Sequence, residues 1–275
     1  MSRLLTGASP EFKETLAYIE RRIESPPSVG VILGSGLGDF ADTVSKKTIL
    51  PTNDIPHYPR LTVEGHKGRL VFGTIGKKTI LTFQGRIHFY EVDDLSHVLF
   101  PIHLAAELGV KILLVTNAAG GINRLLRAGD LMLITDHINL TFENPLLHNG
   151  LPVIAPRRKD HVYDERIQRI ALEVAAAEGI PLRRGVYCGV KGPSYETAAE
   201  IEMIRRIGGD AVGMSTVNEV SLASRLGMRV GGVSCITNLA TGVGSLPLSH
   251  SEVTEVANRV RTRFTSLLRG VLERV

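Results

Sequence analysis

The chain has 275 residues, of which 43% are hydrophobic and 28 are glycine, a composition typical of a well-buried α/β core with many tight turns. A net charge of +4 spread along the chain, 5% aromatic residues and no basic stripe argue against a nucleic-acid partner. We find no signal peptide, lipidation motif or long apolar span, so we expect a cytoplasmic protein without a membrane partner.

The sequence has no linker, repeat or low-complexity run that would divide it. We therefore expect one domain spanning residues 1–275. Cys188 and Cys235 lie in apolar, strand-like runs without metal-type spacing, which favours buried thiols in a reducing compartment.

A glycine-rich loop follows the first predicted strand. After a helix that begins at Ser9-Pro10, the apolar run Val29–Leu33 leads into Gly34-Ser35-Gly36-Leu37-Gly38. Three glycines in five residues let backbone N–H groups turn toward one point, and the Ser35 hydroxyl adds a donor, which indicates a phosphate cradle. Two alternatives stay open, namely a tight turn and a dinucleotide fingerprint, although Asp39 stands where the third glycine of that fingerprint falls.

A predicted hairpin leads to a second candidate anion site. Arg69–Ile75 and Lys78–Gln84 have the pattern of two strands joined by Gly76-Lys77. In the following segment Arg86, His88 and Tyr90 alternate, so an extended chain would place all three side chains on one face.

The remaining chain alternates between predicted helices and strands. The helices are Leu95–Leu108, Asp164–Glu178, a stretch after the Thr197/Glu200 capping box, a stretch from Val217, and a C-terminal helix that begins at the Ser249/Glu252 capping box. The strands are Ile112–Thr116, Leu131–Ile138, Gly185–Val190, Ala211-Val212 and Arg229–Ile236, and residues 143–160 form an exposed excursion.

This alternation predicts an α/β fold with a central, largely parallel or mixed β-sheet and helices on both faces. Polar residues follow the strands at Ser35, Asn117, Glu196, Ser215 and Asn238. Because ligands of such sheets bind beyond the carboxyl ends of the strands, these five loops are expected to share one site.

Seven motifs, in one order along almost the whole chain, resemble those of the low-molecular-mass, trimeric purine nucleoside phosphorylases. The motifs are Gly34-Ser35-Gly36-Leu37-Gly38, Val63-Glu64-Gly65-His66, Gln84-Gly85-Arg86-x-His88-x-Tyr90, Thr116-Asn117-Ala118-Ala119-Gly120-Gly121, Gly192-Pro193-Ser194-Tyr195-Glu196-Thr197, Val212-Gly213-Met214-Ser215-Thr216-Val217 and Ile236-Thr237-Asn238. Taken singly, most of these residues have a structural explanation, such as a core histidine or a helix-capping serine. Their coincidence favours the functional interpretation.

The resemblance implies cleavage of the N-glycosidic bond of purine ribo- and deoxyribonucleosides by inorganic phosphate, in the nucleoside phosphorylase fold. It assigns phosphate to Ser35, His66, Arg86, His88, Ala118 and Ser215, and nucleoside to Tyr90, Tyr195, Glu196, Met214, Thr237, Asn238 and His250. The expected catalytic residues are His88, Glu196, Asn238 and His250. The resemblance further implies a homotrimer.

The chemistry of the reaction fits these residue types. The departing purine becomes negative and the sugar positive, so an amide donor from Asn238 and a phosphate dianion beneath the sugar would stabilise the two charges. An ionised Glu196 can accept hydrogens from guanine or hypoxanthine but faces a lone pair on adenine, which predicts a preference for guanosine and inosine. Phosphate is itself the nucleophile, so we expect neither metal nor organic cofactor.

Two rival functions are a methylthioadenosine phosphorylase and a non-catalytic purine-binding protein. The first typically has aspartate in place of Asn238 and an apolar residue in place of His250, and the second would be expected to have lost Arg86, His88 or Asn238. The sequence departs from the family most between Leu147 and Val162, where the family supplies an aromatic residue to the neighbouring subunit and this chain has none before Tyr163.

Overall fold

A mixed β-sheet forms the centre of the molecule. The computed structural model describes residues 9–62, 67–146, 161–244 and 250–275, with side chains of the last range from residue 255 onward. Within these ranges the strands are β1 (Val29–Leu33), β2 (Ser45–Pro51), β3 (Arg69–Ile75), β4 (Lys78–Gln84), β5 (Ile112–Gly121), β6 (Leu131–Asn139), β7 (Leu182–Gly189), β8 (Ala211–Gly213) and β9 (Arg229–Leu239). Their order is β2-β3-β4-β1-β5-β8-β7-β6-β9, and β9 also pairs with β5, so the last five strands in this order close into a ring.

Helices cover both faces of the sheet, as the sequence predicts. They are α1 (Pro10–Glu20), α2 (Phe89–Val92), α3 (Leu95–Glu107), α4 (Glu165–Ala177), α5 (Ala198–Arg206), α6 (Val217–Arg225) and α7 (His250–Arg274). Ile32 of β1 packs in a cluster with residues of α1, α3 and α6, whereas its neighbours Val31 and Leu33 pack with residues of α4 and α7. The alternation of side chains along one strand therefore builds two cores. None of the described helices could cross a membrane.

Several predicted helix and strand boundaries are confirmed, because turn and capping residues near each boundary determine where the element begins or ends. The hairpin of β3 and β4 turns at Gly76, whose φ is +57°. Asp164 caps α4 by accepting from the Ile167 N–H, and Thr197 caps α5 by accepting from the Glu200 N–H. The predicted capping residue Ser249 and most of the 143–160 excursion lie outside the described residues.

Two expectations about the chain path were wrong, and one strand was not predicted. The segment before Pro51, for which no element was predicted, forms strand β2, antiparallel to β3. Strands β5 and β9 continue past their predicted ends, so Asn117 and Asn238 lie within strands rather than after them, since the two strands go on pairing beyond the apolar runs. The extended segment through Tyr90 ends at His88, because Phe89 begins the short helix α2.

Candidate active site

A cavity of about 250 Å³ opens beyond the carboxyl ends of the central strands. It is lined by Gly34, Ser35, Arg86, His88, Tyr90, Asn117, Ala118, Ala119, Gly120, Pro193, Tyr195, Glu196, Val212, Gly213, Met214, Ser215, Thr237, Asn238 and Ala240. Every predicted site residue with a described side chain is in this set. His66 lies outside the described residues, and His250 begins α7 with its side chain outside them.

The glycine loop lies against strand β5. A Cβ atom on Gly34 would lie 2.6 Å from the Asn117 Cα atom, so only glycine fits there. The Gly34 N–H donates to the Thr116 hydroxyl at 3.2 Å, and Gly36 has a φ of +74°. The loop therefore does more than turn the chain, because this close approach brings Ser35 to the cavity wall beside β5.

Arg86 is 4% exposed and is held from three sides. Its Nη1 atom donates to the Thr216 hydroxyl and to Glu219 Oε1, each at 3.1 Å, and its Nη2 atom donates to the Thr116 carbonyl. The carboxylate of Glu219 is equally buried, so a compensated charge pair fixes the guanidinium at the cavity wall.

His88 is fixed by Glu91, one helical turn ahead. Glu91 Oε1 accepts from the His88 backbone N–H at 2.6 Å and lies 3.0 Å from His88 Nδ1. Burial raises the pKa of Glu91, but hydrogen bonds from His88 and Thr62 outweigh it and lower the pKa to about 2. The Tyr90 ring stacks on His88 with centroids 5.0 Å apart, so both reach the cavity although the segment is not extended.

A strained turn follows Ser215 at the same end. Thr216 has φ +79° and ψ −51°, and the Val217 N–H donates to the Ser215 carbonyl at 2.9 Å, which is the rare, strained form of γ-turn. The Thr216 N–H donates to Glu219. The turn places the Ser215 and Thr216 hydroxyls 3.1 Å apart at the cavity.

Asn117 lines the cavity and is hydrogen-bonded to Thr216. Its Nδ2 atom donates to the Thr216 hydroxyl at 2.9 Å. Among the described residues its Oδ1 atom has no hydrogen-bond partner, although the side chain is 2% exposed.

The opposite end of the cavity carries a carboxylate and an amide. Glu196 precedes helix α5 and is half-buried, and this burial raises its pKa. Asn238 Oδ1 accepts from the Thr237 hydroxyl at 2.9 Å, which orients the amide, and its Nδ2 atom donates to the Leu239 carbonyl at 3.2 Å. An amide nitrogen has two hydrogens, so Asn238 has a second donor. Glu196 and Asn238 can therefore form hydrogen bonds with both donors and acceptors on a bound ring.

Close glycine packing shapes the space between the two ends. A Cβ atom on Gly192, whose φ is +69°, would lie 2.3 Å from Met214 Sδ and 3.1 Å from Tyr90 Cδ1. The middle of the cavity is therefore walled by a thioether and an aromatic ring, surfaces suited to an uncharged, partly apolar group. Tyr195 lies at the mouth with its side chain 47% exposed.

Sequence reasoning missed Thr216 and Glu219 as site residues. The signal was present, because Thr216-x-x-Glu219 has the spacing of a capping box, but that spacing predicts only a helix start. The ion pair with Arg86 joins residues 133 positions apart and is visible only in the fold.

Comparisons with known proteins agree with this geometry. The phosphorylase superfamily matches residues 28–273. Purine nucleoside phosphorylase 1 of Bacillus subtilis is 46% identical over 258 residues, covering 93% of this chain and 95% of the relative, and that of Geobacillus stearothermophilus is 43% identical over 94% and 96%.

Solved structures give the same result. Schistosoma mansoni purine nucleoside phosphorylase in complex with adenosine superposes with a TM-score of 0.90 at 35% identity, covering 98% of this chain and 99% of that one. A Schistosoma mansoni purine nucleoside phosphorylase in complex with inosine gives a TM-score of 0.88 at 33% identity, covering 100% of this chain and 99% of that one. The chain belongs to the phosphorylase superfamily and, within it, to the purine nucleoside phosphorylases.

Proposed function

We propose that this purine nucleoside phosphorylase prefers guanosine and inosine, and that it releases the free base and (deoxy)ribose 1-phosphate. The observation that carries the preference is the cavity itself, with oxyanion donors at one end and the half-buried Glu196 carboxylate at the other. Phosphorolysis itself is the activity of the family to which the chain belongs.

The donor-rich end is assigned to inorganic phosphate. A guanidinium, an imidazole and hydroxyls are the groups that bind such an oxyanion best. Arg86, His88, Ser35 and Ser215 supply them from three separate segments. The resemblance adds the Ala118 backbone and His66. Phosphate is a co-substrate and attacks the sugar directly, so the reaction requires neither a covalent enzyme intermediate nor a cofactor.

The sugar takes the middle of the cavity, between Tyr90 and Met214, and the resemblance adds His250 toward its 5′-hydroxyl. As the glycosidic bond breaks, positive charge on the sugar faces the phosphate dianion. The base becomes negative and is stabilised by a hydrogen bond from Asn238, whose amide is oriented by Thr237.

Glu196 determines which purine is accepted. Its carboxylate accepts the N1 hydrogen of guanine or hypoxanthine and one hydrogen of the guanine 2-amino group. Adenine presents a lone pair at N1, so the half-buried carboxylate meets an acceptor. Such a mismatch can lower kcat/KM by up to ~10⁴-fold.

The test is release of base from inosine, guanosine, adenosine and methylthioadenosine, each with and without phosphate. We expect cleavage of inosine and guanosine only with phosphate, and adenosine to be nearly inert. If methylthioadenosine were the best substrate, the assignment of Glu196 would be wrong. Binding of purines without turnover of any of the four would instead support a purine-binding protein.

Asn238→Asp gives a sharper test of the base end. The aspartate offers a carboxyl acceptor to the 6-amino group of adenine, so we expect adenosine turnover to rise and inosine turnover to fall. Unchanged selectivity would place Asn238 away from the 6-position of the base.

A cytoplasmic homotrimer completes the proposal. The resemblance to the trimeric purine nucleoside phosphorylases supports this subunit arrangement. The Phe142 side chain, 89% exposed, lies next to the excursion from which that family supplies an aromatic residue to the neighbouring subunit. Sedimentation equilibrium measures the mass directly, and a monomer at micromolar concentration would rule the trimer out.

A further inference from the structure

The chain has two Thr-x-x-Glu boxes that differ in their surroundings. In the box at α5, the Thr197 hydroxyl accepts from the Glu200 N–H at 3.2 Å, and Glu200 accepts from the Thr197 N–H at 2.7 Å. Both residues are exposed, and Thr197 has a φ of −70°. This box only starts a helix.

The box at α6 has the same spacing but is buried. Thr216 is 0% exposed and Glu219 is 3% exposed. Glu219 accepts from the Thr216 N–H with one oxygen and from Arg86 with the other. One carboxylate therefore holds both the γ-turn and the guanidinium.

The hydroxyl of Thr216 then has a defined direction. It accepts from Arg86 Nη1 at 3.1 Å and from Asn117 Nδ2 at 2.9 Å, which uses both of its lone pairs. Its own hydrogen is left for the Ser215 oxygen, 3.1 Å away. Ser215, which lines the cavity, thereby keeps its hydrogen for another acceptor.

We propose that Thr216 and Glu219 are positioning residues for the oxyanion. Glu219 fixes the Arg86 guanidinium and the γ-turn at Thr216. Thr216 makes the Ser215 hydroxyl a donor to the bound anion. The strain at Thr216 is compatible with this role, because strained backbone concentrates where a site must be preorganised. The inference rests on the proposed phosphate end of the cavity but not on which purine is cleaved.

Thr216→Val tests whether the Thr216 hydroxyl, by donating to the Ser215 oxygen, leaves the Ser215 hydrogen for the anion. Valine keeps the shape and the branched Cβ of threonine, so the backbone strain is unchanged and only the hydroxyl is lost. We expect the KM for phosphate to rise about 10- to 100-fold, the range for losing a hydrogen bond in a charged network, with the KM for inosine changed less than about threefold. Thr216→Ser, which keeps the hydroxyl, should restore phosphate affinity.

Glu219→Gln tests the carboxylate. Both oxygens accept from donors, so the amide nitrogen of glutamine would face an N–H group and one bond would be lost. We expect the same selective loss of phosphate affinity. Glu200→Gln and Thr197→Val in the exposed box are the matched controls and should leave both KM values unchanged.

Phosphate binding can be measured without turnover. A ligand that binds the folded state raises Tm in proportion to RT ln(1 + [L]/Kd), so inorganic phosphate should stabilise the wild type and stabilise Thr216→Val far less, while hypoxanthine stabilises both. If the nucleoside assay failed but this contrast held, only the proposed function would be wrong. Equal phosphate shifts in wild type and Thr216→Val, or equal loss of phosphate and hypoxanthine binding, would overturn the inference.

Discussion

The two ends of the cavity are built differently. At the end proposed to bind the anion, Arg86, Thr216 and Glu219 are buried and hydrogen-bonded to one another. At the end proposed to bind the base, Glu196 is half-buried and Tyr195 is 47% exposed. The end with Arg86 is a preorganised network in which the position of each residue depends on the others. The groups at the end with Glu196 can be changed one at a time. Changes at the anion end should therefore affect every nucleoside, and those at the base end should alter the choice among them.

The largest effect is expected for Arg86→Met. Loss of the guanidinium removes the main charged donor to phosphate, so kcat/KM should fall about 10²- to 10³-fold for inosine and guanosine alike. It also leaves the Glu219 carboxylate buried without its partner, which should destabilise the fold by about 3–5 kcal/mol. Steady-state kinetics and urea unfolding measure the two losses.

The double variant Arg86→Met with Glu219→Gln separates these losses. It removes the uncompensated charge, so stability should recover in part while activity stays low. Full stability of the single variant, or recovery of activity in the double variant, would contradict the preorganised network.

Glu196→Gln should act on selectivity rather than on phosphate. Glutamine can donate to N1 of adenine and loses the charged acceptor for guanine, so guanosine kcat/KM should fall about 10²-fold while adenosine improves. The KM for phosphate should stay within about twofold of the wild-type value, because Glu196 lies at the opposite end of the cavity from the proposed phosphate site. A parallel loss on all purines would place Glu196 outside base recognition.

A change of pH should give a smaller effect in the same direction. Burial raises the pKa of Glu196, so on acidification its carboxylate gains a proton sooner than an exposed one would. The protonated form donates to N1 of adenine, and the ratio of adenosine to inosine turnover should therefore rise a few-fold as pH falls toward this pKa. In Glu196→Gln the ratio should not vary with pH.

The smallest effect is expected for Tyr195→Phe. The ring lies at the cavity mouth, 47% exposed, and stacking on the base or sugar needs the ring rather than the hydroxyl. All kinetic constants should stay within about twofold of wild type, a range that Tyr195→Ala should exceed through a higher nucleoside KM.

Local signals in the sequence were enough to predict most of the helices and strands. Gly76, Asp164 and Thr197 mark boundaries through backbone conformation and capping, which depend on a few neighbouring residues. Strand β2 was not predicted because its residues are mostly exposed and polar. It pairs with β3, a contact between segments that local sequence does not reveal. The extensions of β5 and β9 likewise follow from pairing between segments more than a hundred residues apart.

The candidate site follows the same division. Residues that line the cavity fall in motifs and could be found in the sequence, since glycines and polar groups near the carboxyl ends of strands have a local signature. Thr216 and Glu219 could not, because a capping box has the same spacing whether it is exposed or buried. The hydrogen bonds from Arg86 to Thr216 and Glu219, which arise only in the fold, distinguish the buried capping box from the exposed one.

Strand β5 runs past both ends of the cavity. Asn117 contacts Thr216 at one end, and Gly120, three residues on, lies against Asn238 at the other. Three residues of a strand span about 10 Å. Pairing with β9 along one side, and with β8 at Gly120 and Gly121, fixes the length of this segment. In the proposed arrangement, this stretch of backbone therefore fixes the spacing between the attacking phosphate and the departing base.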